Sequence, residues 1–384
     1  MANERVTLPA PKSVLFVVLL LVISISAKGP AVFARASHAS HPVLAPSTSS
    51  GLDAVLQWLA KEQSPDGSYG EGFPPYTAAA AYALWLNDTH SSGAASGYAW
   101  LAAQLENSTN WFWGSYGEFD IPGVSLYSIA SSSNLQLVHV SNVASKFLDF
   151  QQSNGGFLGF WPNGASNPVT SSVDTAEALR GLVSARAINA SSQQLAVNYL
   201  IGLQNSDGSF NLTNTQPYAL DYSQGPEPVS ITALVLLALR DASYTDANTH
   251  VSKALNFLTT GSSKYSMIAN DTNAVYSASL SALAFYAFGR TAYAYDAIAF
   301  ILSHQNSDGG FRDSTRSSPG SNALDSAWAS IALLQVVPGR VLSSVLPEVV
   351  IFGIIAGIVT PAVIVGIVVY LVRRNKAQTQ VKSL

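Results

Sequence analysis

The string Asp174-Thr175-Ala176-Glu177 sets two carboxylates three residues apart, and Asp325 opens a similar string further along the chain. Two carboxyl groups facing each other across a cavity within about 10 Å can cleave a glycosidic bond, one as acid and the other as base or nucleophile. The partners that Asp174 would need for this are Asp325, Glu227 or Asp120. The same strings have a plainer use. Asp174 as an N-cap with Glu177 three residues on makes a capping box, and Asp325 can cap the last apolar helix in the same way. Capping is the first reading of Asp174, Glu177 and Asp325, and catalysis the second.

Aromatic residues form the other group with chemical use. Tyr76, Trp113, Phe160, Trp161 and Trp328 fall near helix starts or in connecting stretches, where they could stack on sugar rings or line an apolar pocket. In Phe157-Leu158-Gly159-Phe160-Trp161-Pro162 three aromatics share what reads as a loop, where burial is least automatic and a ligand contact is expected. Metal chemistry has no support. The six histidines, at 38, 41, 90, 139, 250 and 304, lack ligand spacing apart from His38 and His41, and no cofactor is implied. The chain has no cysteine, so disulfides, thiolate metal sites and a thiol nucleophile are all excluded.

What must position these side chains is a recurring phrase. A helix ends in Gln, a Gly-containing turn follows, and an aromatic stands six residues after the Gln. The pairs are Gln63 and Tyr69, Gln151 and Phe157, Gln204 and Phe210, and Gln305 and Phe311. Degenerate copies follow Trp100-Leu101, with Trp113, and Phe257-Leu258, with Tyr265, so about six repeats are expected. The Asp-Gly or Gly-Gly of each turn stops a helix, because glycine enters the left-handed region without steric cost. The helices after the turns are almost wholly apolar or small, as in Tyr76-Thr-Ala-Ala-Ala-Ala-Tyr-Ala-Leu-Trp85. Such helices are buried on every side and predict an inner ring, with the polar-faced helices outside. The expected fold is all-α, an α/α toroid of about six two-helix repeats spanning 51–337.

The Gln and turn-aromatic phrase resembles the QW-type repeat of the terpenoid cyclase and protein prenyltransferase superfamily. That resemblance implies the toroid, and implies that Gln63, Gln151, Gln204, Gln305 and their aromatics tie outer helices together. Its chemistry does not follow. Squalene-type cyclases use an Asp-x-Asp-Asp acid motif, and here Val173-Asp174-Thr175-Ala176 keeps a single Asp. Prenyltransferase zinc sites and complement-like thioester toroids both require a cysteine that this chain lacks. Cobalamin carriers share the toroid without catalysis, so the fold also serves binding.

The ends indicate where the body sits. An uncharged run over 13–27 has signal-peptide length, and Ala34-Arg35-Ala36 offers a cleavage site, so 1–36 reads as a signal peptide or signal anchor and 37–50 as a linker. After a linker at 338–348, residues 349–372 carry no charge and precede Arg373, Arg374 and Lys376. This reads as a transmembrane helix with 373–384 as a cytoplasmic tail and the body outside. Sequons at Asn87, Asn107, Asn189, Asn211 and Asn270 all fall in that body, as glycosylation requires. Of 384 residues 48% are hydrophobic and only 11% charged, and between Ser37 and Pro347 there are 21 acidic against 11 basic residues. An acidic body without clustered Lys and Arg excludes nucleic acid as a partner. The sequence thus reads as a membrane-held toroid that binds a glycan or lipid or acts as an interaction module. A cyclase, prenyltransferase or carbohydrate-active enzyme is the alternative.

Overall fold

The computed structural model describes residues 47–107, 119–160, 169–214, 228–260, 274–312 and 320–337. Trp113, Trp161, Glu227, Tyr265, Asn270, the segment 1–36, the apolar span 349–372 and the tail 373–384 lie outside the described residues. Helices dominate, and they alternate in role along the chain. One set comprises α1 (Ser47–Glu62), α3 (Ser92–Glu106), α5 (Val140–Asp149), α7 (Ala190–Gly202), α9 (Thr249–Thr260) and α11 (Thr291–Ser303). The other comprises α2 (Pro74–Asn87), α4 (Asp120–Ser131), α6 (Ser172–Ser184), α8 (Pro228–Asp241), α10 (Val275–Ala287) and α12 (Ala323–Val336).

Helices of the second set pack in succession, α2 on α4, α4 on α6, α6 on α8, α8 on α10 and α10 on α12, and α12 returns to α2. Six helices therefore close a ring. They are the apolar segments, and they are buried along most of their length, as in Ala78–Ala81 of α2 and Val229–Leu239 of α8. Small residues let backbones meet. A Cβ on Gly123 of α4 would lie 2.5 Å from the Glu177 carbonyl carbon of α6, and one on Gly181 would lie 2.6 Å from the Gly123 oxygen. Several buried serines of these helices donate to carbonyls one turn back, as Ser279 does to Val275 at 2.7 Å, and Ser128 of α4 reaches across to the Ala78 carbonyl of α2 at 2.7 Å.

Each clear repeat turn is built alike. The glycines Gly67, Gly155, Gly208 and Gly309 all take φ between +91° and +97°. A side chain there would be strained, and it would also strike the following outer helix. The added Cβ would stand 2.6, 2.2, 2.3 and 3.0 Å from the carbonyl oxygens of Ser96, Leu195, Lys253 and Ala54 respectively. The turn aromatics Tyr69, Phe157, Phe210 and Phe311 are wholly buried. Each gives its backbone N–H to a hydroxyl near the start of the ring helix that follows. These acceptors are Thr77, Thr175, Thr232 and Ser326, at 2.8 to 3.1 Å.

The glutamines link neighbours. Gln63 Nε2 donates to its own turn at Gly67 and to Gly93 ahead of the next outer helix's core, at 3.0 and 2.8 Å. Gln151 does so to Gly155 and Ser192, and Gln204 to Gly208 and His250. Gln305 donates to Gly309 and to Gly51 in α1, 254 positions away, so the last clear repeat is bonded to the first helix.

Two features differ from the sequence expectation. The stretch after Phe157 is a short antiparallel hairpin, β1 (Phe157–Phe160) pairing with β2 (Val169–Ser171), so the body is not all-α. Glycine is required at 159 because the strand passes directly over Asp174, where any Cβ would collide with the carboxylate. The sixth ring helix is α4, a segment whose proline and serines obscure its apolar periodicity. No helix among the described residues is long and apolar enough to cross a membrane.

The turn geometry predicts a sharp contrast between glycines. Gly155→Ala should cost about 2 kcal/mol or more in urea unfolding, from backbone strain plus overlap with Leu195. Gly202→Ala, at a site with nothing within 4 Å, should be neutral or stabilise by up to about 1 kcal/mol.

Candidate functional site

Helix α6 carries Asp174, Glu177 and Arg180, all nearly inaccessible, at a spacing that places them along one face. Its N-cap is Ser171, whose Oγ accepts from the Asp174 amide at 3.1 Å. This corrects the expectation that Asp174 is the cap and Glu177 its partner. Asp174 stands one turn inside, and its Oδ1 accepts instead from the amides of Phe119 and Asp120 at the start of α4, each at 3.0 Å. Ser171 Oγ donates to its other oxygen. Asp174 thus caps the neighbouring helix, where the dipole favours a negative group. Burial, then the nearby Asp120 charge, push its carboxyl well above the usual range, against these hydrogen bonds.

Further along, Arg180 is the hub. Its Nε donates to Asp241 Oδ2 at 3.0 Å, its Nη1 lies 3.4 Å from Glu177 Oε2, and its guanidinium stacks 3.9 Å above the centroid of the Tyr127 ring. Burial opposes its charge, but Tyr127, Glu177 and Asp241 outweigh that and hold its pKa above the ordinary value. Glu177 shows the reverse balance. Burial raises its pKa to about 7, and Asp120 and Asp241 add to this, while Arg180 only partly offsets it. Glu177 and Asp241 thus engage the same guanidinium from two sides.

Arg180 also opens onto a pocket of about 300 Å³, to which every ring helix contributes near its C-terminal half. Tyr82 comes from α2, Tyr127 from α4, Arg180 from α6, Asp241 from α8, Tyr286 from α10 and Trp328 from α12. Gln335 and Arg240 complete the polar part, and Gln335 Nε2 donates to the Tyr82 hydroxyl at 3.2 Å. Aromatic faces and fixed donors converge here, the combination that orients a small polar ligand with an apolar face.

The residues selected from sequence divide between the two ends of the ring helices. Trp328 lines the pocket and meets Tyr276 edge to face at 6.3 Å. Tyr76 packs over its own entry turn, edge to face with Phe73 at 5.5 Å and against Gly70. Phe160 ends β1. Asp325 lies one turn inside α12, whose N-cap is Asn322, with the Asp325 amide 3.0 Å from the Asn322 Oδ1. This corrects the expectation that Asp325 itself caps the helix. Asp174 and Asp325 stand at the N-terminal ends of their helices and do not line the pocket at the C-terminal ends. Asn87, Asn107 and Asn189 are exposed. The Asn189 Oδ1 caps α7 through the Ser192 amide, while Asn211 is half-buried and accepts from Asn205. Among the described residues no cluster of three or more His, Cys, Asp or Glu could hold a metal.

Arg180, Asp241, Tyr127, Tyr82 and Gln335 escaped the sequence reading. The available signal was the one basic residue of a helix expected to be buried, three residues after Glu177, where an unpaired charge could not be buried.

The raised Glu177 pKa carries a sign. Between its ordinary 4.5 and about 7 the folded protein holds a proton that the unfolded chain releases, so stability falls as pH rises through that window. The loss is on the order of 3 kcal/mol. Urea unfolding should show this decline between pH 5 and 7.5 in the wild type, and Glu177→Gln should flatten it.

Comparison with known proteins points to the fold. The A-macroglobulin TED domain family matches residues 127–294, which run from α4 into α11. No curated protein matches the chain. Among solved structures, a protein from Actinoplanes is similar at 12% identity and a TM-score of 0.53, over 75% of this chain and 98% of that one. The type II terpene cyclase MstE from Scytonema, without ligand, gives the same identity, TM-score and coverages. MstE_R337A in complex with geranylgeranyl dihydroxybenzoate is 13% identical, with a TM-score of 0.51 over 78% of this chain and 98% of that one. At such identities the likeness is one of fold, a helical architecture of the α/α toroid kind shared with terpene cyclases.

Proposed function

We propose that this chain is a membrane-anchored, extracytoplasmic α/α toroid that binds a sugar residue of a glycan in the pocket at the C-terminal ends of its ring helices. The observation that carries this reading is the lining of that pocket, where the rings of Tyr82, Tyr127, Tyr286 and Trp328 alternate with the polar groups of Arg180, Asp241 and Gln335. Sugars present C–H faces to aromatic rings and hydroxyls to such groups. A lipid chain would leave the polar groups desolvated without partners, at a cost of roughly 1–3 kcal/mol each.

The anchor rests on the uncharged span 349–372 and the basic residues that follow it, which place the body on the outer side. Exposed sequons at Asn87, Asn107 and Asn189 agree with that side.

A cyclase-like enzyme is the second reading, favoured by the fold likeness to type II terpene cyclases and by a Glu177 carboxyl near neutrality. Three observations weigh against it. Asp174 is occupied by two amides and a hydroxyl, Glu177 and Asp241 are both engaged by Arg180, and Gly159 covers Asp174. Thioester chemistry like that of the complement-type toroids has no thiol to work with.

Saturation-transfer NMR on the full chain in nanodiscs, against a panel of methyl glycosides, should detect binding. Tyr286→Ala, at a ring 39% exposed, should weaken it about fivefold without unfolding the protein, since one aromatic contact is worth about 1 kcal/mol. Turnover of a polyprenyl substrate, abolished in Glu177→Gln, would overturn the binding reading in favour of the enzyme. For the anchor, the full chain should stay with membranes in alkaline carbonate, and a chain ending at residue 337 should be released.

A further inference from the structure

Arg180 has five N–H donors, and the protein uses two of them, Nε–H on Asp241 and one Nη1–H on Glu177. Both hydrogens of Nη2 and one of Nη1 have no acceptor among the described residues, although the residue is only 2% exposed and faces the pocket. A guanidinium held this deep over the Tyr127 ring, with Nε on Asp241 and Nη1 beside Glu177, keeps its Nη2 in place for an acceptor brought by a ligand. Gly123 and Gly181 make the placement possible, because they bring α4 against α6 and so set the Tyr127 ring beneath Arg180.

Resting on the sugar-binding reading above, we infer that the pocket selects a sugar carrying a carboxylate, a uronic-acid-type residue, and that Arg180 is the residue that reads the acid group. The charge around the site narrows the ligand class. Arg180 and Arg240 face Asp241 in the lining, and Glu177 stands behind. Asp241 and Glu177 already face Arg180, so with Arg240 the charges around the site balance, and a single ligand carboxylate meets less repulsion than a doubly charged group would. A phosphate would bring nearly two charges against Asp241 and Glu177. Size narrows it further, since about 300 Å³ lies at the bottom of the range for ligand pockets and suits one ring rather than an oligomer. The planar carboxylate also matches the guanidinium fork, which a hydroxyl cannot engage with two acceptors.

The decisive experiment is calorimetry on the full chain in phospholipid nanodiscs with matched probes: methyl glucuronide against methyl glucoside, methyl galacturonide against methyl galactoside, and glucose 6-phosphate. The expected result is that at least one uronide binds tenfold or more tighter than its neutral partner and than the phosphate, with an affinity that falls as salt rises. Arg180→Lys keeps the charge but loses the fork, and should erase most of that tenfold difference by weakening the uronide much more than the neutral sugar. Should this variant fail to fold, the wild-type comparison decides alone. Equal affinity for uronide and neutral sugar would overturn the acid preference and leave sugar binding standing. Tighter binding of the phosphate would overturn the carboxylate assignment. No binding of any probe by folded protein would overturn both readings.

Discussion

Four glutamine amides, those of Gln63, Gln151, Gln204 and Gln305, each divide their hydrogens between a carbonyl of their own turn and a carbonyl at the start of the next outer helix. Helix termini leave backbone carbonyls and amides without partners in the helix, and a repeat protein accumulates such termini at every turn. The glutamine joins the turn it precedes to the beginning of the next unit. At roughly 1 kcal/mol net for each bond the stabilisation is modest, but the geometry is demanding. Both acceptors must lie within reach of one planar amide, which sets the spacing of adjacent repeats. Gln305 meets that condition with Gly51, so the ring closes on itself.

The close approach of turn and helix depends in turn on glycine. With Gly67, Gly155, Gly208 and Gly309 in the left-handed region and against the next helix, the turn aromatic is delivered into the core. There its amide finds a threonine or serine hydroxyl in the ring helix. Outer helix, turn and ring helix are thus joined by two kinds of directional bond, while the apolar surface supplies most of the driving force. The ring helices respond with small side chains. Where α4 meets α6 the contact is backbone to backbone, and little room remains for anything polar that is not fully partnered.

That constraint gives the Arg180 cluster its character. A buried arginine flanked by Glu177 and Asp241 contributes little net stability compared with an apolar core of the same volume, because desolvation consumes the attraction. It does fix a cation at the floor of the one cavity described to which all six ring helices contribute. The carboxylates that first suggest catalysis are engaged, Asp174 in holding the start of α4 and Glu177 in holding Arg180. The polar residues along α6 therefore serve two purposes, joining two ring helices at one end and shaping a binding surface at the other.

By itself the sequence determined the helical class, the approximate repeat length and the division into polar-faced and wholly apolar helices. These follow from local properties: glycine at turns, aromatics at a set distance from Gln, and ring segments made mostly of apolar and small residues. Composition likewise excluded thiol chemistry. Other features depended on contacts between distant parts of the chain. The amides that donate to Asp174 lie 54 and 55 positions away, and Asp241 lies 61 positions from Arg180, so neither the capping role of the one nor the pairing of the other had a local signature. The pocket itself is assembled from one to three residues of each of six helices, so no one segment of the chain announces it. Only when the ring closes do an arginine, three tyrosines and a tryptophan face one another, because their shared environment is set by which helices become neighbours.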